Sequence, residues 1–215
     1  MYNLSFLVAV ALRQGIKCCQ QHNCSLCGKE VSQYGTHGLS CKKSAGRHSR
    51  HYEVNALLSR ALQTAGFPNR LEPAGLFRND GKRPDGLTLT PWANGKSMIW
   101  DFTCVDTLAS SYLRLSTSGP GNAAAAAETK KRAKYTSLDS QYIVCPVAVE
   151  TFGAWGPESF QIVQKIGREI QRVAAEPKTV QYLLQRISVS IQRGNASSVF
   201  ATLPSGASLS EVFYM

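Results

Sequence analysis

Cysteine and histidine crowd the start of this chain. Cys18, Cys19, Cys24, Cys27, Cys41, His22, His37, His48 and His51 all lie within the first 51 positions, leaving only Cys104 and Cys145 beyond them. Within that crowd, Cys24-x2-Cys27-x9-His37-x3-Cys41 offers three thiolates and one imidazole, a donor set that a structural zinc ion accepts in tetrahedral geometry. Ser25-Leu26 followed by Gly28 suits a tight turn that aims two sulfurs at one ion, and Gly35 and Gly38 let the second half turn back. The segment is poor in apolar residues, so a metal is expected to organise it. Four protein ligands leave no open position, which argues against a catalytic zinc. Cys18, Cys19 and His22 keep the ligand choice open: His22 or Cys19 can replace one of the four, and unrelated free cysteines are the plainer alternative. An odd total of seven cysteines, with no basic region ahead of the short apolar stretch Leu4 to Leu12, points to reduced thiols and an intracellular location. That stretch is also too short to span a membrane.

Charge narrows the partners. The 215 residues carry 24 Lys and Arg against 14 Asp and Glu, a formal net charge of +10. Residues 1 to 60 hold eight of the basic residues and only Glu30 and Glu53, so the excess is concentrated there. A polyanion is expected, nucleic acid ahead of an acidic membrane surface. With 43% hydrophobic residues the chain can bury a core, and there is no internal repeat. Three parts are expected: 1–48 with the zinc knuckle, 49–155 as a core, and 156–215 as a helical extension and tail.

Periodicity gives the elements. From Ser49, the residues Val54, Leu57, Leu58, Ala61 and Leu62 fall at helical steps, ending at Gly66 and Pro68. Strands are expected at Arg70 to Glu72, Asp85 to Leu89 and, most strongly, Ser97 to Val105. On the last, Met98, Trp100, Phe102 and Cys104 share one face and Ile99, Asp101, Thr103 and Val105 the other, leaving a carboxylate in mid-strand. A helix follows with Asn122 as N-cap, its alanines 123 to 127 suited to lying close against a sheet. Tyr142 to Val149 reads as a buried strand that Pro146 assigns to an edge or bulge. Helices over Ser159 to Ala174 and Thr179 to Gln192 precede a serine-rich tail.

Lys82-Arg83-Pro84-Asp85 and, fifteen residues on, Trp100-Asp101-Phe102-Thr103 set two carboxylates on adjacent strands, where they can share one Mg²⁺ or Mn²⁺. Two aspartates alone prove little. The order helix, three strands, helix, strand matches an α/β fold, the αβββαβ core of the PD-(D/E)xK nucleases. That pattern places a lysine where this chain has Thr103, and the helix at 122 to 135 is a second source of one.

These parts together resemble the restriction-like endonuclease domain at the C-terminus of site-specific non-LTR retrotransposon polyproteins. The resemblance runs from Cys24 to Trp155. It rests on the Cys24, Cys27, His37, Cys41 knuckle, Arg50-His51, Leu71-Glu72-Pro73, Lys82-Arg83-Pro84-Asp85, the Asp101 strand and Lys131-x2-Lys134-Tyr135. It implies a metal-dependent DNA endonuclease in which Asp85 and Asp101 hold the cation and the catalytic lysine has moved from the strand to Lys131. In that family the nick leaves a 3′ hydroxyl that primes reverse transcription. The spacings between Cys27 and His37 and between the aspartates are slightly longer than the family's, and no adjacent Asp-Asp pair of a polymerase occurs here. Glu72 is either a third acid or a partner of Arg70 or Arg83. Arg50, Arg83, Lys130, Arg132, Lys134 and Tyr135 are expected to contact nucleic acid: DNA in the nucleus, with the element's RNA as a further candidate. The competing reading is an inactive, zinc-dependent nucleic-acid-binding protein built on the same core.

Overall fold

The computed structural model describes residues 4–74, 76 and 83–205, so Lys82 lies outside the described residues. The chain is mixed α/β. It opens with α1 (Leu4–Gln14), a small antiparallel hairpin of β1 (His22–Asn23) and β2 (Glu30–Val31), and the one-turn helix α2 (His37–Ser40). Then come α3 (Ala45–Thr64), β3 (Asn69–Leu71), β4 (Gly86–Thr88), β5 (Met98–Val105), α4 (Leu113–Ser118), α5 (Asn122–Lys134), β6 (Ile143–Glu150), α6 (Pro157–Ala174) and α7 (Thr179–Phe200). No described helix is long and apolar enough to cross a membrane.

The main sheet has the order β3-β4-β5-β6, antiparallel except for the parallel pair β5 and β6. Its two faces follow from the alternation along β5. Met98, Trp100 and Phe102 pack with Val54, Leu58 and Leu62 of α3, Val163 and Ile166 of α6, and Ile187 and Ile191 of α7. Each such side chain, fully buried, contributes roughly 1.5–3 kcal/mol. On the other face Val105 meets Ala123, Ala124 and Ala127 of α5, and Ile99 meets Tyr135. The alanine run therefore does what its small side chains allow: it brings α5 down onto the sheet. Asn122 is the first residue of α5 and not its cap; Gly121, with φ of 84°, occupies the cap position.

Pro146 sits on the edge strand. The N–H groups of Ala148 and Glu150 point away from β5, to Ser159 Oγ and the Ala154 carbonyl. Pro146, two residues earlier, falls in the same outward register, where the ladder with β5 needs no donor.

Helix α7 runs to Phe200, eight residues past the expected end at Gln192. Arg193-Gly194-Asn195 reads as a stop signal, but tertiary contact overrides it. A Cβ on Gly194 would lie 2.5 Å from Arg50 Cβ, so only glycine lets α7 approach α3 this closely. Asn195 then accepts a hydrogen bond from the Arg50 guanidinium and donates one to the Thr151 carbonyl at 2.7 Å. Arg50 is only 3% exposed. Expected as a nucleic-acid contact, it is instead a buried strut between two helices.

The last turn of α7 reaches the N-terminal module. Ala196 and Val199 share one cluster with Val8 and Leu12 of α1 and with Cys18, Cys24, Val31, Leu39 and Cys41. The knuckle segment, poor in apolar residues of its own, borrows its core from both ends of the chain.

Candidate metal centre and acidic site

The β1–β2 hairpin and α2 bring four donors to one point. The N–H of Gly28 bonds the Cys24 carbonyl at 2.8 Å, and that of Cys24 bonds the Lys29 carbonyl at 2.8 Å, which closes the turn carrying both sulfurs. Gly28 has φ of 75°, a left-handed conformation that a side chain resists. The ligand atoms of Cys24, Cys27, His37 and Cys41 all lie within 4.8 Å of one another, and Cys27 Sγ is 3.2 Å from His37 Nε2. A zinc tetrahedron with metal–sulfur bonds of about 2.3 Å has edges of roughly 3.8 Å, so the cluster can hold zinc. Burial lowers the His37 pKa, favouring the neutral imidazole that a metal takes.

The rival ligands are committed elsewhere. Cys19 Sγ bonds the Ser32 carbonyl at 3.3 Å, and Cys18 is fully buried in the shared core. His22 spends its two nitrogens on the Gln20 carbonyl at 2.8 Å and Thr202 Oγ1 at 3.1 Å.

The second site is built on β5. Its alternation turns Asp101 toward α5, where residues 131, 134 and 135 share one helical face. Lys131 Nζ lies 2.5 Å from Asp101 Oδ1, and Lys134 Nζ lies 2.9 Å from Oδ2. The Tyr135 hydroxyl is 2.6 Å from Oδ2 and 3.0 Å from the Arg83 carbonyl. Asp101 is 5% exposed. Burial pushes its carboxyl pKa up, but the charge of Lys131 and the hydrogen bonds from Lys131, Tyr135 and Lys134 together hold it below the ordinary value.

Asp85 enters from the residue before β4. Its N–H donates to the Trp100 carbonyl at 2.9 Å, and its Oδ2 accepts the Phe102 N–H at 2.6 Å. The carboxylate of Asp85 is thus pinned to the backbone amide next to Asp101. It also meets His51, for which the sequence offered no role at the acidic site: His51 Nε2 lies 3.1 Å from Asp85 Oδ2. The hydrogen bond to Asp85 raises the His51 pKa, against the opposing effect of burial. A signal was present in the sequence. His51 and Asn55 occupy the same helical stripe as Val54, Leu58 and Leu62, so two polar side chains interrupt a core-facing row.

The remaining expected residues separate. Glu72 pairs with Arg83 and its side chain is 68% exposed, which matches the ion-pair alternative and leaves it outside the Asp101 cluster. Arg83 is held by that pair, so it is not free to serve a phosphate alone. Arg132 is paired with Glu158. Lys130 is exposed beside the Tyr112 ring, 4.8 Å from its centroid. Lys134 and Tyr135 differ from expectation: both point inward to Asp101, and Tyr135 is 1% exposed, so its hydroxyl cannot reach a nucleic-acid backbone.

Against this geometry the comparisons are silent. No protein-family profile matches the chain, and no curated protein sequence matches it at a significant level.

Proposed function

We propose that the chain is a metal-dependent DNA endonuclease module of the PD-(D/E)xK type, with its lysine supplied by a helix, as in the nuclease domain of non-LTR retrotransposons. The observation that carries this reading is the contact of Lys131 with Asp101 across thirty positions of sequence. The order α3, β3, β4, β5, α5, β6, with the acids at the start of β4 and within β5, supports it. So does Thr103, whose missing lysine is made good from α5.

The donor set fits a divalent cation. Asp85 and Asp101 offer hard carboxylate oxygens on neighbouring strands, and Asp85 Oδ1 has no protein partner among the described residues. A bound Mg²⁺ would polarise a phosphate oxygen and lower the pKa of its water. The chain's own residues do the rest. Lys131 brings a positive charge to the place where charge develops on the phosphate, and Lys134 and Tyr135 orient the Asp101 carboxylate from the other side. Burial of Asp101 strengthens each of these contacts.

Substrate would approach along a groove of about 420 Å³ whose lining includes Lys42, Arg47, His48, His51, Phe102 and Thr103; Lys42 follows the knuckle residue Cys41 in the chain, and His51 contacts Asp85. Lys42 and His48 are exposed there. If phosphate contacts of this kind drive binding, log affinity for duplex DNA falls against log salt with a slope near −0.9 per contact, about −1.8 for Lys42 and Arg47 together. Fluorescence anisotropy across a salt series measures it, and a flat dependence would contradict the groove. DNA as substrate implies nuclear action, with the element's RNA as a second nucleic-acid partner.

A second reading has one observation in its favour. Both oxygens of Asp101 are bonded to protein groups, an arrangement that an inactive nucleic-acid-binding scaffold could keep as a buried ion-pair network. Supercoiled plasmid separates the two. The nuclease converts it to open circles in Mg²⁺ or Mn²⁺ and not in chelator; tight binding without nicking in either metal selects the scaffold.

A further inference from the structure

An indole N–H only donates. Trp100 Nε1 lies 3.0 Å from Oδ1 of Asn55, so the Asn55 amide is fixed with its oxygen toward the ring. Its nitrogen is thereby turned to His51, where Nδ2 stands 3.2 Å from Nδ1. An amide NH₂ group also only donates, so Nδ1 must accept and carries no hydrogen. The imidazole hydrogen is then on Nε2, directed at Asp85 Oδ2. All the members are held. Trp100 is 2% and Asn55 6% exposed, and Gly86, next to Asp85, gives the indole space that any Cβ would fill.

We propose that Trp100 and Asn55 are positioning residues that lock His51 in its Nε2–H tautomer, making the imidazole a fixed second donor to Asp85 Oδ2 and reserving Oδ1 for the cation. The proposal rests on the reading of Asp85 as a metal ligand. Its physical basis is the cost of the alternatives. A hydrogen on Nδ1 would face the Asn55 NH₂ group, two donors in opposition. A bare Nε2 would set a lone pair against a carboxylate. Either would release Asp85 to rotate about the single anchor of the Phe102 amide, 2.6 Å away. Partners of this kind orient a ligand without touching the metal, and losing one typically weakens metal affinity about 10- to 100-fold.

The test needs no nuclease activity. Imidazole nitrogen chemical shifts of isotope-labelled histidine report directly which nitrogen carries the hydrogen, with the His51 signals assigned by their loss in His51→Gln. At alkaline pH, where the imidazole is neutral, the intact chain should show His51 bare at Nδ1 and protonated at Nε2. A neutral ring with its hydrogen on Nδ1 overturns the proposal. Asn55→Asp keeps an oxygen for the Trp100 indole but turns a second oxygen to His51, so it should place a hydrogen on Nδ1. Its Mn²⁺ affinity by calorimetry should fall by about 10- to 100-fold, with the Trp100 indole N–H resonance unchanged. Unchanged shifts and unchanged Mn²⁺ binding in that variant also overturn it. Plasmid nicking run alongside keeps the two readings apart. A chain that nicks with the neutral ring's hydrogen on Nδ1 loses the positioning role of Trp100 and Asn55 alone, whereas one that never nicks but shows the Nε2–H form loses the nuclease alone.

Discussion

Asp101→Asn should abolish nicking of supercoiled plasmid in Mg²⁺ while leaving binding to DNA at low salt intact or slightly tighter. The amide removes one negative charge from a basic surface, which favours the polyanion, but cannot replace a carboxylate on the cation. Asp85→Asn should behave the same way. Lys131→Ala should lower the nicking rate by about 10²–10³, the usual effect of deleting one charge-stabilising donor. Lys130→Ala should nick nearly normally, because Lys130 is exposed beside Tyr112 and makes no contact with Asp101. Near-normal nicking by Asp101→Asn would sink the assignment. The variant also carries a stability cost, because Lys131 and Lys134 lose the anion they share. The Asp101 carboxyl is held below its ordinary value of 3.8, so its stabilisation is present above that value and lost as pH falls through the lower folded value. Thermal melts of the intact chain should therefore show no loss from this group between neutral pH and about 5, and the variant's deficit should shrink only at acid pH.

The faces of β5 were legible because a strand has a strict period of two: a single buried carboxylate among Ile99, Thr103 and Val105 marks its own side, and the alanines of α5 mark the helix that covers it. Lys131 could be placed only through resemblance, since nothing local says which lysine in a run of four basic residues turns inward. Three neighbours were misjudged for one reason. Arg50, Lys134 and Tyr135 look like surface residues by type, and each is taken inward by a partner far away in sequence: Asn195 for Arg50, Asp101 for the other two. Charge and hydroxyl groups go inside only when paired, and pairing over such separations leaves no periodic trace. His51 was hidden in the same way, although its place on the buried stripe of α3 was visible.

Removing the metal from the knuckle should unfold the N-terminal module and leave the sheet standing. One zinc per chain is expected by elemental analysis, lost in Cys24→Ala, Cys27→Ala. Three sulfurs and an imidazole lie within 4.8 Å of one another, and as thiolates they would repel unless a cation neutralised them and held them together. The apolar support there is thin: Val31 and Leu39 are the only aliphatic side chains of the segment 18–44 that are fully buried, and the rest comes from α1 and the end of α7. The loss should thus spread along those contacts. Gly38 lies against the backbone of Ser198, where an added Cβ would stand 2.7 Å from its carbonyl oxygen, so α2 and the last turns of α7 are packed as one piece. Hydrogen exchange on the double variant should show Gly28 and Cys41 amides unprotected, Asn195 to Val199 partly so, and Trp100, Phe102 and Val147 unchanged. The last group belongs to the larger core of β5, β6, α3, α6 and α7, which contains none of the four ligands. A zinc-free chain that still protects Gly28 and Cys41 would show that the borrowed core alone suffices, and the knuckle would then be a cluster of thiols with no structural ion.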